Sequence, residues 1–439
     1  MQIVVLGAGP AGLEAASHAL KLGHAVSIVD PEGLGGNGLR HSLLPSKTLI
    51  QAADVFRSGN QWSKTPFGMD WTRFMAWQQQ LIEEGVRRAR KKVEGAQVIL
   101  DTGRFEDPHT LIAEQTGQRL FADVVIVATG SRQKLLEGMR PDGERVLLPR
   151  VFHTLTRLPE ELAILGAGAT GLEAASLFAR FGVYVHLYAD TLLPTFADEI
   201  SGRVVAGLRQ DGVEIHRDRR IKAIGEDSTG GVQIHWTSSL GSGQDVRPRV
   251  LLALGRESVF DRKGLEAMGF ALDAAGFFRV DGNGMTNIPG VYAVGDASGE
   301  PLLANKAWSQ GWRAVRQALG QGLKFPPGPP VHAIYCRPEI AWVGETSSHR
   351  YEAALDSPWL YQPLLEETSS PYLALYTDEG GRLVGGEAVG GGASEAMSTL
   401  GLAIQGELTL ESLQTFQPAS PTSAEWLAEI ARESAPLST

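Results

Sequence analysis

The chain has 439 residues, 43 % of them hydrophobic and 21 % charged, with a formal net charge of -10 and one cysteine, Cys336. This length suits two or three domains with separate cores, and the acidic balance argues against nucleic acid as the main partner. No apolar run is long enough to span a bilayer, no intrachain disulfide can form, and the start enters an apolar strand directly, so cytoplasmic residence is expected.

The segment from Ile3 to Asp30 reads as strand, glycine turn, small-residue helix and second strand. Gly7 permits the tight turn, Gly9 lets backbone approach a pyrophosphate, and Gly12 lets the helix pack closely. Pro10 and Ala11 open the helix, whose N-terminal amides favour an anion, and Asp30 closes the second strand where ribose hydroxyls would lie. A purely structural turn needs none of these features in this order. Further on, the basic run Arg87 to Lys92 follows Glu83 and Glu84 in a helical pattern, and reads as a solvated helix end rather than a docking patch.

The same unit recurs with Gly166, Gly168 and Gly171 at the glycine positions, Ala169 and Thr170 at the helix start, and Asp190 near the second strand end. Two dinucleotides are implied, so the predicted class is α/β with two Rossmann-like domains; a duplicated fold that has lost its ligand is the alternative. Three further apolar strands enter glycine turns, at Phe121 to Arg132, Val250 to Ser258 and Thr286 to Ser298, and read as crossings between domains. They carry Ala128, Thr129 and Gly130, then Gly255 and Arg256, then Gly295 and Asp296. A carboxylate directly after a buried strand is costly unless hydrogen-bonded, which makes a polar ligand a natural partner for Asp296. The glycine-rich stretch from Ala388 to Ala393 reads as a turn between strands, not a phosphate loop, because no Lys-Ser or Lys-Thr follows. No histidine has a second ligand at metal-binding spacing, so no metal is expected, and no Ser-His-Asp order suggests acyl chemistry.

The order of these motifs, with LGGNGLRHSLLPSKTLI (Leu34 to Ile50) and IYCRPEIAWVGET (Ile334 to Thr346), resembles the flavoprotein disulfide reductases over essentially the whole chain. That family includes dihydrolipoamide dehydrogenase, glutathione reductase and mercuric reductase. The resemblance implies a split FAD domain (1–148 and 253–325), an inserted NAD(P) domain (149–252) and an α+β dimerisation domain (326–439), hence a homodimer. It implies that Gly36, Asn37, Lys47, Leu303 and Ala304 join the first glycine motif, Asp30, the 128–130 turn, Arg256, Gly295 and Asp296 in holding FAD. The second glycine motif, Asp190 and Gly255 would then hold NADH or NADPH, and Lys47 and Glu173 match the ion pair that lies beside flavin N5 in the family.

The departures are equally specific. Gly38 and Leu43 stand where the family has its redox cysteines, and Ser420-Pro421-Thr422 stands for the His-Pro-Thr whose histidine is the general base. Without sulfur there is no thiolate to attack a disulfide, and a serine hydroxyl cannot relay protons near neutral pH as an imidazole does. Glu425, which would orient the missing histidine, is left a packing or helix-bonding role. His41 could protonate an acceptor, although an isolated helical histidine is more often packed or solvated. Ala169, where some relatives carry a gating side chain, implies an open nicotinamide pocket. No arginine lies between Ala189 and Phe196 to bind a 2′-phosphate, which favours NADH. The expected activity is FAD-dependent NAD(P)H oxidation with a small, quinone-type electron acceptor, as in the branch of the family with replaced cysteines. A soluble transhydrogenase, suggested by Gly35-Gly36-Asn37, and a non-enzymatic flavoprotein scaffold are the alternatives.

Overall fold

The structure, a computed structural model, describes residues 1–65, 68–136, 139–347, 349–361 and 371–434. Its first sheet is parallel and has five strands, in the order Val291–Ala293, Val124–Val127, Gln2–Leu6, Ala25–Val29 and Gln97–Ile99. The runs VVIV and IVVL are buried throughout, as suits interior strands covered on both faces. Helices Pro10–Lys21 and Ala304–Ala318 pack together so closely that a Cβ on Gly311 would lie 2.2 Å from the Ala11 carbonyl oxygen. On the other face Phe105, Phe270 and Phe278 form an apolar cluster under a three-stranded antiparallel sheet.

The second sheet is also parallel, in the order Glu214–Arg217, Tyr184–Ala189, Glu161–Leu165, Val250–Leu252 and Val146–Leu147. Its last strand comes from residues that the sequence reading assigned to the first domain. Helices Ala169–Arg180 and Asp198–Gln210 contribute Leu172, Phe178, Val204 and Leu208 to one core, with Val185 and Leu187 of the sheet. Tyr188, Leu252, Val232 and Ile234 form another core, in which the antiparallel meander of residues 220–247 takes part.

A third, antiparallel sheet of five strands carries helices Ala393–Gln405 and Glu425–Glu433, whose Met397, Leu400, Trp426 and Ile430 join one core with Val343, Leu373 and Leu375. Here the predicted turn between strands is corrected, because strand Leu383–Val389 runs through Gly390–Gly392 into the helix. Gly392, at φ +82°, caps the helix, and the burial of Ala393, Ala396, Met397 and Leu400 follows helical spacing. The basic run does end a helix, Trp71–Lys92, with Arg90, Lys91 and Lys92 in its last turn. Among the described residues, no helix is long and apolar enough to cross a membrane.

Candidate functional site

Glycine is required at the first turn by contact distances. Gly7 has φ +97°, and a Cβ there would lie 2.3 Å from the Ala128 carbonyl oxygen; one on Gly12 would lie 2.0 Å from that of Gly7. Gly9 caps the helix, with Pro10 in its first turn. Gly36 has φ +52°, and a Cβ on it would stand 2.5 Å from the Gly9 Cα, so the second glycine pair packs directly on the first turn. Asp30 accepts hydrogen bonds of 2.8 Å from the Ala8 and Glu32 amides. Gly7, Asp30, Gly36, Asn37, Thr129 and Arg256 line one cleft of about 850 Å³, together with apolar Phe105, Phe260 and Met268. The Thr129 hydroxyl is buried without a partner. A large cleft with apolar walls, a glycine-backed end and an unmatched buried hydroxyl fits a dinucleotide carrying an aromatic ring system.

Asp296 is not itself among the residues lining that cleft, but it is tied to Ser131 and Arg256, which are. The Ser131 hydroxyl donates to it at 2.5 Å, Arg256 Nε donates to the same hydroxyl at 2.6 Å, and the guanidinium lies 3.7 Å from Asp296. Burial holds the Arg256 pKa below its ordinary value, and Asp296 opposes that shift. Gly295 donates its amide to Gln310 Oε1 at 2.8 Å, Gly130 has φ +72°, and Leu303 and Ala304 begin helix Ala304–Ala318. Lys306 on that helix, missed in the sequence reading, bonds the Gly299 carbonyl; burial lowers its pKa, against the pull of Asp296 and Glu300.

Residues Asn37–His41 form a π-helical turn, followed by a break at Ser42 and helix Leu43–Trp62. A Cβ on Gly38 would meet Pro10 Cγ at 2.9 Å. One turn into the helix, Lys47 Nζ lies 2.7 and 2.8 Å from the two carboxylate oxygens of Glu173. The Tyr335 amide donates to that carboxylate at 3.0 Å, and the Tyr335 ring lies 4.4 Å from Lys47 Nζ. Three distant segments thus converge on the predicted ion pair.

His41 is not isolated. Its Nε2 lies 2.5 Å from Glu32 and its Nδ1 3.3 Å from His153, while Arg150 bonds Glu32 at 2.8 Å. Burial would raise the Glu32 pKa, but hydrogen bonds from Arg150 and His41 outweigh it and hold the carboxyl low. Burial, reinforced by the charges of His41 and Arg150, lowers the pKa of His153.

In the second glycine motif, a Cβ on Gly166 would approach the Ala253 carbonyl oxygen to 2.4 Å, and one on Gly171 that of Gly166 to 1.9 Å. Gly168, Ala169 and Thr170 are exposed, leaving the helix start open, and Gly255 has φ +93°. Asp190 is exposed and accepts a 2.9 Å bond from Arg220 Nε. The absence of an arginine close to Asp190 in sequence therefore does not hold in space, because Arg220 arrives at the start of strand Arg220–Glu226. Arg219 beside it lies 3.7 Å over the Trp236 ring.

Cys336 is buried, with Sγ 3.1 Å from the Pro338 carbonyl, and burial, helped by the nearby Glu173 charge, pushes its thiol pKa up. Ser420 is exposed, and Glu425, the first residue of helix Glu425–Glu433, accepts the Thr422 amide at 3.2 Å. Local spacing gave no second ligand for any histidine, but parallel pairing of Tyr184–Ala189 with Glu214–Arg217 brings His186, Glu214 and His216 together.

The family whose description is pyridine nucleotide-disulphide oxidoreductase matches residues 1–311, and its dimerisation domain matches 331–431. The chain belongs to that family and is an FAD-dependent pyridine-nucleotide oxidoreductase, with FAD and a nicotinamide nucleotide as its cofactors. It is 30 % identical to dihydrolipoyl dehydrogenase of Bacillus subtilis over 98 % of this chain and 97 % of that one. It is likewise 30 % identical to dihydrolipoyl dehydrogenase 2 of Haloarcula marismortui, over 98 % and 96 % of the two chains. The solved structure of LpdA from Mycobacterium tuberculosis is similar with a TM-score of 0.87 at 26 % identity, covering 99 % of this chain and 100 % of that one.

Proposed function

We propose that the protein oxidises NADH or NADPH and delivers the electrons from flavin directly to a small acceptor of the quinone or dye type, with no disulfide turnover. FAD, when bound, supplies the two-electron relay between nicotinamide and acceptor. The chain's own residues define what remains possible around it. The observation that carries the reading is the pair Gly38 and Leu43 at the family's sulfur positions, with the only thiol, Cys336, buried and held protonated. Lys47, fixed by Glu173 and Tyr335, is a preorganised cation for stabilising negative charge on a reduced ring, a role that needs no sulfur. The exposed Ala169 and Thr170 leave the nicotinamide side accessible. The partnership of Asp190 with Arg220 favours acceptance of both nucleotides, which keeps exchange between them as a second reading.

Steady-state oxidation of NADH and NADPH against quinones, lipoamide, glutathione disulfide and NADP analogues tests this. Turnover with quinones and none with either disulfide is expected. Lipoamide reduction at a comparable rate would refute the proposal, and preferential reduction of the NADP analogue would select nucleotide exchange.

A further inference from the structure

A second site lies on the meander side of the second sheet, built by strand register. In the parallel pairing His186 stands opposite Glu214 and Tyr188 opposite His216, so the alternation of side chains sends His186, Glu214 and His216 to one face. His186 Nδ1 lies 3.1 Å from His216 Nε2 and 3.3 Å from Glu214 Oε2, and His216 Nε2 lies 3.4 Å from Glu214 Oε1. Tetrahedral ligands about 2.0–2.1 Å from a zinc ion stand about 3.3 Å from one another. The three groups therefore have the spacing of one face of such a tetrahedron.

Their surroundings follow the same logic. Glu161 Oε1 lies 3.3 Å from the far ring nitrogen of His186, the arrangement in which a carboxylate orients a ligating imidazole. That nitrogen is buried and has no well-aligned hydrogen bond, while the Tyr184 hydroxyl donates to Glu214 at 2.6 Å. The Tyr188 ring stacks on His216 at 4.5 Å, fixing its plane. Arg247 lies 3.8 Å from Glu161 and offsets the charge of that carboxylate, leaving Glu214 as the anionic ligand. His186 is buried, His216 partly covered and Glu214 exposed on an edge strand, so a cation can enter from solvent and keep water as its fourth ligand.

We infer that His186, Glu214 and His216 bind one divalent cation of the zinc class, clamping edge strand Glu214–Arg217 to its neighbour. The set has two imidazoles and one carboxylate, which suits zinc better than calcium or magnesium. The same edge strand leads to Arg220, so the clamp would also steady the partner of Asp190.

The test uses flavin-loaded protein stripped with chelator and titrated with zinc sulfate by calorimetry, beside the variants His216→Gln, Glu214→Gln and Glu161→Gln. One zinc per chain is expected in the parent. Binding should weaken by about tenfold or more in each variant, since even orienting partners carry that much of a site's affinity. Cobalt in place of zinc should give four-coordinate absorption at wavelengths beyond the flavin bands, lost in His216→Gln. The exposed Glu214→Gln guards against a fold defect, judged by flavin content and by the melting temperature without metal. Substoichiometric zinc, or binding undiminished in both His216→Gln and Glu214→Gln, would overturn the inference.

Discussion

Lys47 and Glu173 come from helices separated in sequence by the entire first crossing, yet their side chains meet with two hydrogen bonds and a third segment supplies the Tyr335 amide. An ammonium so held costs no reorganisation when negative charge develops nearby. Lys47→Met should keep bound flavin but slow its reduction by NADH about a hundredfold, the usual scale for removing one such donor. Anaerobic stopped-flow bleaching of the oxidised flavin band reads that rate, and an unchanged rate would leave the pair only structural. The opposite chemistry applies to Cys336, whose burial and proximity to Glu173 disfavour the thiolate. An aromatic disulfide reagent should label no thiol in the native protein at pH 8 and the single cysteine after unfolding. Native labelling would return a sulfur to the active chemistry.

At the scale of elements, much was legible because sterics leave so little choice. Gly7, Gly12, Gly166 and Gly171 each lie where a Cβ would collide with a carbonyl, so the two βαβ units announce themselves in sequence. Lys47 and Glu173 were found only by motif position, since no local pattern pairs residues so far apart. Arg220, the His41–Glu32–Arg150 cluster and the His186–Glu214–His216 face were missed because strand register and loop return, not spacing, bring them together. The turn at Gly390–Gly392 was misread for a related reason, as composition marks a break but not which element follows it. Two substitutions exploit the separation of the two nucleotide units. Gly171→Ala, with its Cβ 1.9 Å from the Gly166 carbonyl, should abolish reduction by NADH while the protein stays yellow; loss of flavin would mean the two units do not act separately. Arg220→Ala should lower kcat/KM for NADPH relative to NADH by about tenfold, the effect of losing one charge-assisted partner for a 2′-phosphate. An unchanged ratio would remove Arg220 from nucleotide selection.

For the molecule as a whole, the C-terminal quarter carries the assembly surface that the family's dimerisation domain supplies. The family's dimerisation domain matches residues 331–431, and its sheet and helices share a core of their own. On the proposed reading Ser420 stands in the place of the base that the family sends across the interface, and the Glu425 carboxylate accepts the Thr422 amide. Large apolar side chains remain exposed around this unit, with Leu402 at 71 % and Phe325 at 65 % lining one surface groove. If burial rather than catalysis keeps the copies together, the protein should run at twice its 47.1 kDa chain mass in light scattering at micromolar concentration. On the proposed reading Ser420→His should leave that mass unchanged and confer no lipoamide reduction, because an imidazole has no sulfur to serve at Gly38 or Leu43. A monomer at those concentrations would show that the surface has lost its partner too, and lipoamide turnover in Ser420→His would show that sulfur was never the missing element.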